Sequence, residues 1–264
     1  MPDALVLVAD DGPVRTLTLN RPAALNSFTA EMHGQLRDAL DAAAATETVR
    51  ALILTGAGRG FCAGQDLNDP ALAPGADGRV DVGAVVEASY KPLALRIRAL
   101  PVPVIAQVNG VAAGAGANLA LGCDIALAAR SASFIQAFAK IALIPDCGGT
   151  WLLPRLAGRA RALGLALTGD KLSAEQAERW GLIWQCVDDE ALPAAALALA
   201  HKLAALPTQA LAATRRALDD AADMDMAAAL SMEARVQRER GHSHDFVEGV
   251  TAFREKRAPQ FTDR

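Results

Sequence analysis

The sequence predicts an α/β fold, with a mainly parallel sheet over the first half and a helical portion toward the C-terminal end. Three observations lead there. Between residues 5 and 138, short apolar runs alternate with segments of helical period, the pattern of strand–helix–strand units. After residue 148 nearly every segment carries the helical period. Finally, 52% of the 264 residues are hydrophobic and 21% charged, which permits a sizeable core and excludes a disordered chain.

Taken in order, residues 5–8 and 14–19 read as strands separated by the turn D-D-G-P. Thr29 reads as the N-cap of a helix that places Met32, Leu36, Ala39, Leu40 and Ala43 on one stripe. Residues 51–54 form a buried strand running into a glycine-rich loop, and residues 70–83 a mobile surface loop. A helix is expected over 85–100, a strand over 102–108 turned by Asn109-Gly110, and a small-residue helix from about Gly114. Residues 125–128 are a further strand and 133–138 a short extended piece. Helices follow over 158–168, 173–180, 192–206, 209–219, 226–238 and 244–256, with 182–187 as a possible strand. Ser173 and Gln176 fit a capping box. There is no internal repeat and no long linker.

Charge and composition narrow the function classes. A net charge of −4 argues against a nucleic-acid partner, which needs a basic surface. The longest apolar stretches, such as residues 191–200, are too short to cross a bilayer, so no membrane partner is expected. The opening M-P-D-A-L-V-L-V-A-D-D-G has no basic region ahead of its apolar run, unlike a secretory signal. Cys62, Cys123, Cys147 and Cys186 form no C-x-x-C pair, so no zinc site is expected, and a reduced cytoplasmic setting is the simplest reading. His33, His201, His242 and His244 read as solvated, and no nucleophilic triad or metal constellation is apparent.

Three segments could carry chemistry, each with a structural reading beside the functional one. G-R-G-F-C-A-G-Q-D (58–66) is either a surface turn or a loop whose backbone N–H groups face a substrate oxygen. N-G-V-A-A-G-A-G-A-N (109–118) contains G-x-G, but Leu119 stands where a dinucleotide fingerprint needs its third glycine. Here the choice lies between a tightly packed helix and a helix N-terminus that stabilises negative charge, and the two are compatible. In I-P-D-C-G-G-T (144–150), Asp146 is either a helix N-cap or a general acid/base whose pKa an apolar loop would raise.

Together these segments, with T-L-N-R-P at 18–22, S-A-x-x-A-x-x-W-G-L at 173–182 and E-G-V-T-A-F-R-E-K-R-x-P-x-F at 248–261, resemble the crotonase or enoyl-CoA hydratase/isomerase superfamily. The resemblance covers essentially the whole chain. It implies a spiral of ββα units over residues 1–200 and a helical oligomerisation region over 201–264, assembling as a homotrimer or homohexamer. It also implies an acyl-CoA thioester substrate, with CoA part of the substrate and no separate cofactor. In the family's pattern the backbone N–H groups of Gln65 and Ala115 form an oxyanion hole for the thioester carbonyl. Ala63, Asp66 and Leu67 fall where the family wraps CoA, and Phe253 and Lys256 match tail positions that reach the CoA of a neighbouring subunit.

The carboxylate pattern discriminates within that superfamily. Its hydratases carry two glutamates, where this chain has Asn118 and Phe138. A third position, after I-P, is aspartate in some isomerases, and here it is Asp146. One acid/base can move a proton between two carbons, whereas hydration must also place and activate water. The residue set therefore favours a cofactor-independent isomerase with Phe138 in an apolar acyl pocket. The rival readings are a hydratase/isomerase of fatty-acid oxidation and a non-catalytic CoA- or RNA-binding member.

Overall fold

The computed structural model describes residues 4–263. Strand β1 (Val6–Asp11) turns through Gly12 and Pro13 into β2 (Val14–Leu19), an antiparallel hairpin. Helix α1 (Ala30–Ala45) follows, and the Thr29 hydroxyl accepts the Met32 N–H at 3.2 Å, the expected cap.

From there the chain spirals, giving one strand to each of two sheets in turn. Strands β3 (Ala51–Gly56) and β4 (Gly60–Cys62) lead to a helical segment. That segment is α2 (Val82–Val85), a π turn (Val86–Tyr90) and α3 (Lys91–Ala99). The next turn of the spiral holds β5 (Val104–Val108), β6 (Val111–Ala113) and α4 (Ala115–Leu121), and β7 (Ile125–Ala129) and β8 (Ser133–Ile135) begin the last. Helices α5 (Gly149–Ala157) and α6 (Arg159–Thr168), strand β9 (Lys171–Ser173), helix α7 (Ala174–Arg179) and strand β10 (Gln185–Val187) complete the core. The larger sheet has the order β1-β2-β3-β5-β7-β10 and the smaller β4-β6-β8-β9. Every pairing from β2 to β10 in the larger sheet is parallel. Residues of β3, β5 and β7 are buried almost throughout, which is why they read as apolar runs rather than alternating strands.

The chain ends in α8 (Leu192–Ala204), α9 (Thr208–Ala221), α10 (Met226–Gly241) and α11 (His244–Glu255). No single helix among the described residues is long and apolar enough to cross a membrane.

Some expectations need correction. Strands β4, β6 and β9 were not anticipated, because three residues are too few to display a period of two. Only Ser133–Ile135 of the 133–138 piece is extended; Phe138 lies in a 3-10 turn, Ala137–Ile141. Ser173 caps α7 through Gln176 N–H, but the Gln176 side chain accepts from Arg179 instead of closing the box. His33 is buried, not solvated, with its ring stacked 4.4 Å from Phe28 and edge-on to Tyr90 at 4.5 Å.

Candidate active site

The β4–loop junction and the start of α4 meet at Gly64. This residue holds φ +90, and a Cβ there would lie 2.9 Å from the Ala113 carbonyl oxygen and 3.4 Å from the Ala115 nitrogen. Glycine is thus required on two counts, left-handed backbone and close approach. On one side of the contact, Phe28 N–H donates to Gly64 O (2.7 Å) and Asp66 N–H to Phe28 O (2.9 Å), which turns the intervening Gln65 N–H away from that ladder. On the other, Ala115 is the first residue of α4, whose N-cap is Gly114. Neither the Gln65 nor the Ala115 N–H has an acceptor among the described residues. Two unpaired donors on adjoining segments, one at a helix N-terminus, can stabilise charge on an oxygen.

Asp146 lies on the loop before α5 and borders a cavity of about 900 Å3 that is also lined by Val86, Lys91 and Leu95 of the helical segment. Its carboxyl is not a helix cap: α5 has Gly148 at its N-cap and no side-chain bond there. Instead Oδ1 is buried without a partner. Desolvation raises the Asp146 pKa from 3.8 to about 6. A carboxyl poised there exchanges its proton readily near neutral pH. A second cavity of about 500 Å3, lined by Trp151, Leu152 and Ile97, meets the first at Ala94, Leu95, Cys147 and Gly148.

The remaining predicted residues divide into three groups. Ala63 is fixed by its N–H to Leu25 O at 2.9 Å. Asp66 pairs with Arg21 at 2.9 Å, and that hydrogen bond holds its carboxyl below the usual range; Leu67 is 62% exposed beside it. Asn118 and Phe138 border the reactive segments. Asn118 is fully buried on α4, and Phe138 packs 3.6 Å from where a Gly114 Cβ would stand. Phe253 and Lys256 are elsewhere, at the end of α11, where Phe253 is 85% exposed in a groove with Phe246 and Phe261. Within one chain they do not border the cavity that Asp146 lines.

Two neighbours of this site escaped the sequence reading. Tyr90, the chain's single tyrosine, ends the π turn only 2% exposed and donates to Gln65 Oε1 at 2.7 Å. Burial raises its phenol well above the ordinary range, so it remains a donor. Gln136 is buried and donates to Asn118 Oδ1 at 2.8 Å. The signal for Tyr90 was its lone hydroxyl on an otherwise apolar helix face. Gln136 had none, because its partner lies 18 residues away.

The spiral of paired strands defines a crotonase-type fold, and on it the two free N–H groups beside Gly64 and the buried acid bordering a cavity make up the candidate active site. The chain belongs to the enoyl-CoA hydratase/isomerase family, whose pattern it matches over residues 10–264. Among particular proteins, it is 57% identical over 251 residues to the 1,2-epoxyphenylacetyl-CoA isomerase of Escherichia coli K12, covering 95% of each chain. It is 48% identical over 248 residues to a probable enoyl-CoA hydratase of Rhodobacter capsulatus, covering 94% of each. The crystal structure of an enoyl-CoA hydratase from Bacillus anthracis superposes with a TM-score of 0.91 at 34% identity, covering 98% of this chain and 100% of that one.

Proposed function

We propose that the protein is an acyl-CoA isomerase, converting ring-1,2-epoxyphenylacetyl-CoA to oxepin-CoA, shifting enoyl-CoA double bonds, or both. The observation that carries this is the Asp146 carboxyl, since the other two acids lining the cavity are engaged, Asp81 by the Ala84 N–H at 2.9 Å and Glu87 by Lys91 at 2.7 Å. Asp146 borders the large cavity with an unpartnered Oδ1 and a pKa raised to about 6 by burial, while the family resemblance puts Asn118 and Phe138 at the positions of the hydratase glutamates. The N–H groups of Gln65 and Ala115 receive the thioester oxygen, an effect worth about 2.7–4 kcal/mol per donor in comparable sites. The carboxylate of Asp146 takes a proton from the α-carbon, the electrons move onto the thioester oxygen as a dienolate, and the acid returns the proton to the γ-carbon. Ring expansion of the epoxide likewise adds and removes no atoms. The likeness to the E. coli isomerase supports this choice of acyl group.

Around that centre, Ala63, Asp66 and Leu67 border the CoA moiety. Residues 1–200 form the catalytic core and 201–264 the assembly region of a homotrimer or homohexamer, in which Phe253 and Lys256 approach the CoA of the next subunit. The four free cysteines suit a reducing compartment, the cytoplasm.

The likeness to the R. capsulatus protein favours a second reading, hydration. Assaying crotonyl-CoA for the 3-hydroxy product beside a 3-enoyl-CoA for double-bond migration separates the two. Isomerisation with negligible hydration is expected; comparable rates of both would favour the hydratase.

A further inference from the structure

We propose that Asn118 is a positioning residue, whose buried amide clamps the main chain at Asp146 and so holds the proposed proton shuttle in place. This rests on the reading of Asp146 given above. Asn118 Nδ2 donates to the Asp146 carbonyl oxygen at 2.9 Å, and its Oδ1 accepts from Gln136 Nε2 at 2.8 Å. A carbonyl only accepts, so the orientation of the asparagine amide is fixed by Asp146, and Gln136 must present its NH2 to the other end. The Asp146 carbonyl also receives the Gly149 N–H at 2.8 Å. Both donors meet at a segment that needs support, since Cys147 and Gly148 follow with φ of +48 and +83.

On the loop side the amide is tightly covered. A Cβ at Gly149 would stand 2.2 Å from Asn118 Nδ2, so the loop runs directly over it. An ionised glutamate at position 118 would be too long for this space and would set a carboxylate against a carbonyl, two acceptors with no proton between them. Asn118 therefore does the reverse of what an acid would do there: it commits its amide to the Asp146 loop, at the border of the second cavity.

The test is steady-state kinetics on a 3-enoyl-CoA for the full-length Asn118→Ala, Asn118→Asp and Gly149→Ala variants. It is paired with carbon-13 NMR titration of the aspartate carboxyls, and Asp146→Asn is assayed alongside. Gly149→Ala displaces the amide without removing it, and Asn118→Asp, assayed at pH 8, keeps the size and loses the donor. Any one folded variant suffices. A misplaced catalytic group costs up to about 100-fold, so kcat should fall roughly 10–100-fold. KM should stay within about threefold, and the Asp146 titration should move from about 6 toward the ordinary carboxylate range as water reaches it. Unchanged kcat and titration in a folded variant would overturn the proposal. So would a raised KM at unchanged kcat, which would make Asn118 a substrate contact. If Asp146→Asn stays active, the catalytic reading of Asp146 fails, yet the titration in the Asn118 variants still reports the clamp.

Discussion

The folded chain holds the Asp146 carboxyl at about 6, against 3.8 for an ordinary aspartate, because the side chain is desolvated and Oδ1 lacks a partner. The fold therefore favours the protonated form. Between pH 3.8 and 6 the folded state binds more proton than the unfolded one, so stability falls as pH rises through that window. The penalty is fully present above about pH 6 and is on the order of 1–3 kcal/mol. Asp146→Asn should thus be more stable than the parent at pH 7.5, with the difference gone below pH 4; denaturant titrations at the two pH values measure it. His33 works with the opposite sign. Burial lowers its ionisation from 6.5 to about 4, and neither ring nitrogen has a partner. The unfolded chain takes up a proton there first, so stability is lost as pH falls from 6.5 toward 4. His33→Phe keeps the stacking on Phe28 and should flatten the acid limb of the stability curve. An unchanged acid limb would show that His33 is charged or solvated in the folded state.

Elements are tied to the site by single side chains. Tyr90 closes the π turn between α2 and α3 and bonds Gln65, so the helical wall of the large cavity is fastened to the proposed oxyanion loop. Such turns concentrate at functional sites. Tyr90→Phe removes one hydrogen bond, worth about 1 kcal/mol of stability, so the melting temperature should fall by about 2–4 °C, and kcat should fall as the proposed oxyanion loop loses its tether. Arg50 does structural work. Its guanidinium donates to Ala204 O at 2.7 Å and Leu206 O at 2.9 Å, satisfying the C-terminus of α8. Arg50→Ala should cost about 1–3 kcal/mol in denaturant unfolding and leave kcat unaltered. What could be read from the sequence follows the same division. Thr29, the β3, β5 and β7 runs and the late helices announce themselves locally through caps and period. His33 was readable too, since it continues the stripe through Leu36 and Leu40, but its polarity suggested solvent. The Tyr90–Gln65 and Asn118–Gln136 bonds join residues 25 and 18 apart and leave no periodic trace.

At the scale of the whole molecule, the C-terminal helices leave large apolar side chains in solvent. Met226 is 79% exposed, and Phe246 and Phe253 open onto one groove. Exposed apolar side chains of this size are what the proposed closed assembly would cover. Light scattering after size exclusion should give three or six times the 27.4 kDa chain mass. Phe253→Ala should raise KM for the CoA thioester if the tail completes a neighbouring site. A fully active species at the chain mass would refute both the assembly and the shared site.

The central claim is that one acid, Asp146, moves the proton. It is tested most directly by the rate of double-bond migration in Asp146→Asn, with binding of the CoA thioester verified separately. Removal of a general acid/base should lower kcat by roughly 10²–10⁴-fold with binding retained. A folded Asp146→Asn protein that isomerises at near the parent rate would contradict the account.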